Sequence, residues 1–521
     1  MAPNKRHAPP DDDDTGSVSS KHMRIDSDGH SETESEAEPD AHEQVADVYL
    51  DTVDRSSLDF DFEQLCSVSL ATTNVYACLV CGKYFQGRGK QTHAYFHSIN
   101  DDHHVFINLD SLKIFVLPDN YEVTDKSLND IKDVVCPVYS AQSVLQLDRV
   151  DTLSHDLGGK PYVPGFVGLN RIKSNSYMNV VIQMLAHVAP IRDALLMLPP
   201  QASNQQSALL CKLAMLVRRM WHSRRFKAHV SPHEFVQEVV LQSKRRFRLD
   251  VEGDPYELLV WLLNTLHICL GGSRKRNSSV VYGSFQGETR VTTQGLGDTQ
   301  ARAQDSDPLH LDRAKALKTT KTPFLALSLE LPPKPLFTST NGGDTADDDD
   351  NDERADIPQV ALSTLLQRYN GSTVVELNGQ ARQFQLTKLP RYIICHIKRF
   401  SKNDFTAEKN PTVVNFPVRN MPFGELLPKD TKEKYGRGTT YDLVANICHV
   451  GDQLPAIGAD ISAAPDVPTE SAATAESPFV VYVRHAASHK WFALHDLRVE
   501  PIMPQMLFLS DSYIQVWQRN D

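Results

Sequence analysis

Residues 168–179 read GLNRIKSNSYMN, and the chain continues VVIQMLAHVAPIRDALL with apolar residues at helical spacing. Ser176 therefore stands at the entrance of an amphipathic helix. A thiol there, with a pKa near about 8.5, would be readily made nucleophilic; a hydroxyl depends on a strong, well-aligned base. What the rest of the chain supplies decides whether this stretch opens an active site.

The chain has 521 residues, a formal net charge of -12 and 40% hydrophobic residues. That is length for two or three domains and apolar content for a sizeable core. The apolar run YELLVWLLNTLHICL at 256–270 is too short and too amphipathic to cross a bilayer. The N-terminus, MAPNKRHAPPDDDD, lacks the apolar stretch of a signal peptide, so an intracellular, soluble protein without a membrane partner is expected. Eight cysteines in a chain this long do not make a disulfide scaffold, and only Cys78 and Cys81 form a CxxC pair.

Residues 1–45 are acidic, Ser- and Asp-rich and free of aromatics, the composition of a disordered tail. Order is expected over 46–135, then a linker over 136–164, then a larger domain over 165–521. Polar inserts are expected near 290–320, 338–356 and 458–477. From 175 to 270 the spacing is helical. From 280 onward strand-like runs dominate: SVVYGSF, TPFLALSLEL, RYIICHI, YDLVANICHV, FVVYVRH, KWFALHD and YIQVWQR. Helices first and strands afterwards predict an α+β architecture.

Between 66 and 104 the chain gathers Cys66, Cys78, Cys81, His93, His97, His103 and His104. A CxxC with a downstream His-x3-His carries the ligand chemistry of tetrahedral zinc, which staples small domains. The segment resembles the UBP-type zinc finger over about 46–135, a fold that in several relatives binds the C-terminal tail of free ubiquitin. The resemblance implies one structural Zn2+ held by Cys78, Cys81, His97 and His103. Multi-zinc members build a second site from another CxxC, a further Cys and a His. Here Cys66 and His93 remain, but Ser69 takes the second Cys position. One intact site is expected, with Cys66 and His93 as alternative contributors, and ubiquitin-tail binding is counted against.

From GLNRIKSNSYMNVVIQML onward the chain resembles ubiquitin-specific proteases, whose first catalytic box reads G-L-x-N-x-x-x-T-C-Y-x-N. Further stretches agree in order: GDPYELLVWLLNTLH, PRYIICHIKRFSKNDFTAEKN with VNFP, and YDLVANICHVGD with KWFALHDLRV and SYIQVWQR. The resemblance covers 165–521 and implies a papain-like fold with a helical thumb and β-rich palm and fingers. Its chemistry needs a thiolate, a His base, an acid or amide that orients the His, and an oxyanion donor.

Ser176 stands in the thiol's place. Pro478, followed by Phe479, takes the place of the His in the family's G-H-Y motif. His495 and Asp496 fall on the Asp/Asn-Asp pair, and Arg171 occupies the oxyanion Asn's place with Asn170 one position out of register. His485 and His489 lie nearby but off position. The expectation is a retired enzyme, with Asp496 left to bond backbone at a strand end. No CxxC follows residue 81, so the fingers must cohere by packing.

The finger together with the deficient domain resembles the spliceosomal, tri-snRNP-associated ubiquitin-protease-like proteins, the snRNP assembly-defective family. The words that carry this are CSVSL, YACLVCGKYFQGRG, HAYFHS, HHVFINL, LPDNYEV, VGLNRIKSNSYMNVVIQ and MPQM before LSDSYIQVWQR. The resemblance implies a nuclear scaffold in pre-mRNA splicing with tri-snRNP proteins as partners. An active deubiquitinase and a ubiquitin receptor acting through the finger are the alternatives. The basic run SKRRFR at 243–248 is read as a solvated surface, with any snRNA contact local.

Overall fold

The computed structural model describes residues 49–199, 207–295, 317–333, 358–377, 379–402, 407–436, 438–451 and 477–520. The expected tail at 1–45 and insert at 338–356, and nearly all of the insert at 458–477, lie outside these residues.

The first domain is a five-stranded antiparallel sheet. Its strand order is Tyr84–Gln86, Val75–Cys78, Val105–Asn108, Ile114–Val116, Tyr121–Val123, and the helix His93–Asn100 packs against it. Tyr76, Phe85, Ala94, Phe106, Phe115 and Leu117 make a small core of their own. Val105, Ile107, Ile114 and Val116 are buried as well, and a domain of this size is one that a metal staple further secures.

The stretch 136–164, expected as a linker, is built into the body instead. Ser140 and Ser143 form a capping box on the helix Ala141–Gln146, and Val144 and Tyr162 enter the main core. Asp148 accepts two hydrogen bonds, at 2.6 and 2.8 Å, from the Arg192 guanidinium, which is only 2% exposed. A bidentate pair of this kind fixes orientation as well as position.

The body is helices on a seven-stranded sheet. Strand order is Ala326–Glu330, Tyr392–Lys398, Ser512–Arg519, Tyr441–His449, Phe479–Arg484, Trp491–His495, Arg498–Ile502; the first pair is parallel and the rest antiparallel. Period-two alternation splits the strand Tyr392–Lys398 between two cores. Ile394 meets the helical layer, whereas Ile393, Cys395 and Ile397 face Leu362, Phe423 and Trp517 on the other side. SVVYGSF, expected as a strand, is the helix Val280–Phe285. Ser279 caps it by accepting from the Tyr282 N–H, and Val281 and Phe285, four apart, bury one face.

The fingers are a four-stranded antiparallel sheet ordered Lys318–Phe324, Gly287–Gly295, Gln380–Lys388, Asn370–Leu377. The expected insert at 290–320 is thus bounded by paired strands at both ends. No cysteine lies on these four strands, and ladder hydrogen bonds join them.

The two domains meet through buried charge. Asp61, on the segment before the finger sheet, lies 3.5 Å from Arg225 and 3.7 Å from Arg219, and its carboxylate accepts the Ser231 N–H at 3.0 Å. All three charged side chains are buried.

Candidate functional site

The helix Ser176–Ala186 is buried along its whole length. Its polar residues Ser176, Asn179 and Gln183 recur at spacings of three and four, so they share one face. That face meets the segment 167–170: Gln183 Nε2 donates to Val167 O at 2.7 Å, and Asn179 Nδ2 donates to Asn170 O at 3.3 Å.

Gly168 lets a hairpin tip come down on this segment, since a Cβ there would sit 2.7 Å from Leu497 O. The tip is a two-residue turn, Asp496 and Leu497, between paired His495 and Arg498. Asp496 has φ +51, a left-handed conformation that Asp tolerates better than most residues. Its carbonyl accepts from Leu169 N at 2.9 Å. So held, its carboxylate lies over the first turn of the helix. Ser176 Oγ donates to Oδ2 at 2.8 Å, and Asn179 Nδ2 donates to Oδ1 at 2.7 Å.

The Asp496 acid was expected to bond backbone; its carboxylate instead takes the Ser176 hydroxyl and the Asn179 amide. Among the described residues no imidazole hydrogen-bonds to either side chain. Pro478 immediately precedes the strand Phe479–Arg484, and its carbonyl accepts from Val450 N at 2.7 Å. His495 Nε2 meets Ser477 O at 3.0 Å, turned away from the acid beside it. His485 and His489 sit in the hairpin turn before Trp491, with His485 Nδ1 engaged by Ser488 Oγ at 2.6 Å. Arg171, expected in the place of the oxyanion Asn, donates from Nε to Lys173 O at 3.0 Å.

Two residues of this centre were missed from sequence. Asn179 was visible as the last letter of the family box, without a role attached. Glu252, three residues before the helix Pro255–Cys269, accepts the Tyr177 N–H at 2.8 Å and so satisfies an orphan donor at the site helix's start. Burial pushes its carboxyl up to about 8; that backbone bond and Arg171 oppose the shift, and Asp496 adds to it.

In the finger, Cys78, Cys81, His97 and His103 place one ligand atom each within 4.8 Å of all the others. The turn that presents both thiols needs Gly82: its φ is +73, and a Cβ would collide with Ser57 O at 2.3 Å. His97 Nε2 lies 3.4 Å from Cys81 Sγ and 3.0 Å from His103 Nδ1, while its Nδ1 pairs with Asp101 at 2.5 Å. A carboxylate on the far nitrogen fixes which nitrogen faces the ligand cluster. Two thiols and two imidazoles at this spacing fit tetrahedral zinc. The Cys81 thiol is held well below its ordinary value, chiefly by its neighbour Cys78, with His103 and His97 helping.

Cys66 and His93 are not part of this cluster. Cys66 Sγ accepts from Ser69 N at 3.4 Å, and Ser69 Oγ turns away to Gln86 at 2.9 Å. Both ring nitrogens of His104 are engaged, by Leu117 O and Asp102.

A metal-type finger sheet docked on a hydrolase-type thumb and palm defines a ubiquitin-protease-like protein. The family model for ubiquitin carboxyl-terminal hydrolases matches residues 167–517, and that for the Zn-finger in ubiquitin-hydrolases and other proteins, which implies zinc binding, matches 66–128. The chain belongs to the ubiquitin carboxyl-terminal hydrolase family. It is similar to the human protein named ubiquitin carboxyl-terminal hydrolase 39, with 43% identity over 486 residues, 91% of this chain and 80% of that one. It is 41% identical over 480 residues to a Schizosaccharomyces pombe protein named probable mRNA-splicing protein ubp10, across 91% of this chain and 88% of that one. A solved structure described as an essential yeast splicing factor superposes with a TM-score of 0.67 at 27% identity, covering 91% of this chain and 100% of that chain.

Proposed function

We propose that this chain is a non-catalytic, ubiquitin-protease-like scaffold in pre-mRNA splicing, working in the nucleus with proteins of the tri-snRNP. The observation that carries the non-catalytic half is the direct bond from Ser176 to Asp496. A hydrolase of this kind needs a group that takes the nucleophile's proton and returns it to the leaving group. Here the acid that would orient such a base grips the hydroxyl itself, and Pro478, at the base's position, has nothing to titrate. The splicing half is supported by relatives that are named as splicing factors and match nearly the whole chain.

The zinc ion would be structural. Four protein donors would fill its coordination and leave no open position for a substrate. A cleft shaped to hold one globular partner can hold another once turnover is gone.

Affinity purification of the tagged chain from nuclear extract tests the reading. Co-purification of tri-snRNP proteins and their snRNAs is expected, and ubiquitin conjugates without them would overturn it.

A further inference from the structure

We propose that two abutting loops, residues 171–174 and 243–250, form a contact for the phosphate backbone of RNA through Lys173, Lys244 and Arg245. This rests on the splicing reading and names a surface for it.

The loops touch. Ser174 N donates to Leu249 O at 2.8 Å, Tyr177 Oη donates to Arg248 O at 2.9 Å, and Lys173 is near enough to help hold the Asp250 carboxyl down. Arg246 and Arg248 are spent on Glu257 and Asp250. Lys173, Lys244 and Arg245 are exposed and have no ion pair or side-chain hydrogen bond among the described residues.

All three stand at left-handed backbone positions, with φ of +58, +54 and +62. The helix His233–Gln242 ends at Ser243 in a Schellman turn: Arg245 N bonds Val240 O at 2.8 Å and Lys244 N bonds Leu241 O at 3.1 Å. Glycine is the usual residue after such a cap, and Asn the usual second choice, because a Cβ is disfavoured there. Placing Lys and Arg at two successive left-handed positions gives up local stability, and such outliers gather where a side chain has work to do. The helix dipole accounts for a cation at that C-terminus but not for Lys173. That residue lies three positions before Ser176, at a helix N-terminus where positive charge is unfavourable.

The partner's chemistry follows from what the loops offer. The N–H groups of Lys244 and Arg245 are consumed by the helix's own last carbonyls and that of Arg246 by Ser243 O at the cap, so none is free to read a peptide backbone. Projecting charges without an open backbone edge suit phosphates, which are bound by charge and not by sequence.

The test is fluorescence anisotropy of the full-length, zinc-loaded protein with a labelled 20-nucleotide single-stranded RNA across a salt series. Three phosphate contacts predict a log–log salt slope of about -2. The variant K173E/K244E/R245E should bind at least about tenfold more weakly with a slope near zero, and each single reversal should flatten the slope by about 0.7. An unchanged melting temperature for the triple variant excludes misfolding. Binding without salt dependence, binding that the triple variant retains, or equal displacement by a polyglutamate peptide would each overturn the RNA assignment. Co-purification with the splicing particle, measured on the same variant, reports separately on the splicing reading.

Discussion

Ser176 and Asp496 are 320 residues apart in the chain and 2.8 Å apart in space, joined by a hydrogen bond from hydroxyl to carboxylate, with Asn179 on the other carboxylate oxygen. The centre is a closed polar network at the start of a buried helix. Asp496→Ala strands the Ser176 hydroxyl and leaves the Asn179 amide only its longer bond to Asn170 O, at a cost of about 1–3 kcal/mol, whereas Ser176→Ala leaves the carboxylate its Asn179 donor and costs about 1 kcal/mol. Urea unfolding of the two variants should rank them in that order. The reverse order would mean that the carboxylate is satisfied elsewhere.

Zinc content separates the cluster from its neighbours. The protein should carry one zinc per chain by elemental analysis, and Cys78→Ser should remove it and melt the finger first. Cys66→Ser should leave the content unchanged, because Cys66 is engaged with Ser69 and stands outside the four-ligand group. Loss of zinc from the Cys66 variant would place that thiol in the site.

Glu252 gives stability a pH dependence of known sign. Its folded value, about 8, lies above its ordinary 4.5, so between these the folded chain holds a proton that the unfolded chain has lost. Its contribution is present at low pH and fades as pH rises through 8. Glu252→Gln keeps an acceptor for the Tyr177 N–H but removes the titration. Between pH 6 and 9 the wild type should lose more stability than the variant, by on the order of 2 kcal/mol. Asp254, which burial raises to about 6, is common to both chains and cancels in the comparison. Parallel pH curves would contradict the assignment.

The domain junction depends on Asp61. Asp61→Ala leaves the buried Arg225 without its carboxylate, while Arg219 keeps Glu234 at 3.7 Å, and breaking a buried ion pair on one side costs about 3–5 kcal/mol. The exposed Lys113–Glu122 pair serves as the control, since removing either member should cost less than about 1 kcal/mol. Equal, small losses at both sites would show that water reaches Asp61.

The Cys78, Cys81, His97 and His103 cluster was legible because a CxxC and nearby histidines leave few ways to surround one ion. The strands were legible from alternation, and the helix Pro255–Cys269 from its apolar spacing. SVVYGSF was not, because a short β-branched run reads as a strand unless the cap at Ser279 is weighed against it. The segment 136–164 looked like a linker because its anchor, Asp148 to Arg192, joins residues 44 apart. The substitutions at Ser176 and Pro478 could be read one position at a time. The Ser176–Asp496 bond could not, since it exists only because the tip of a distant hairpin rests on Gly168.

Incubation of the pure chain with a fluorogenic ubiquitin substrate tests the central claim most directly, with Ser176→Cys and Ser176→Ala assayed beside it. The account predicts no turnover above background from any of the three, because even a thiol at position 176 would meet a carboxylate and, among the described residues, no imidazole. Hydrolysis by the wild type that Ser176→Ala abolishes would contradict it.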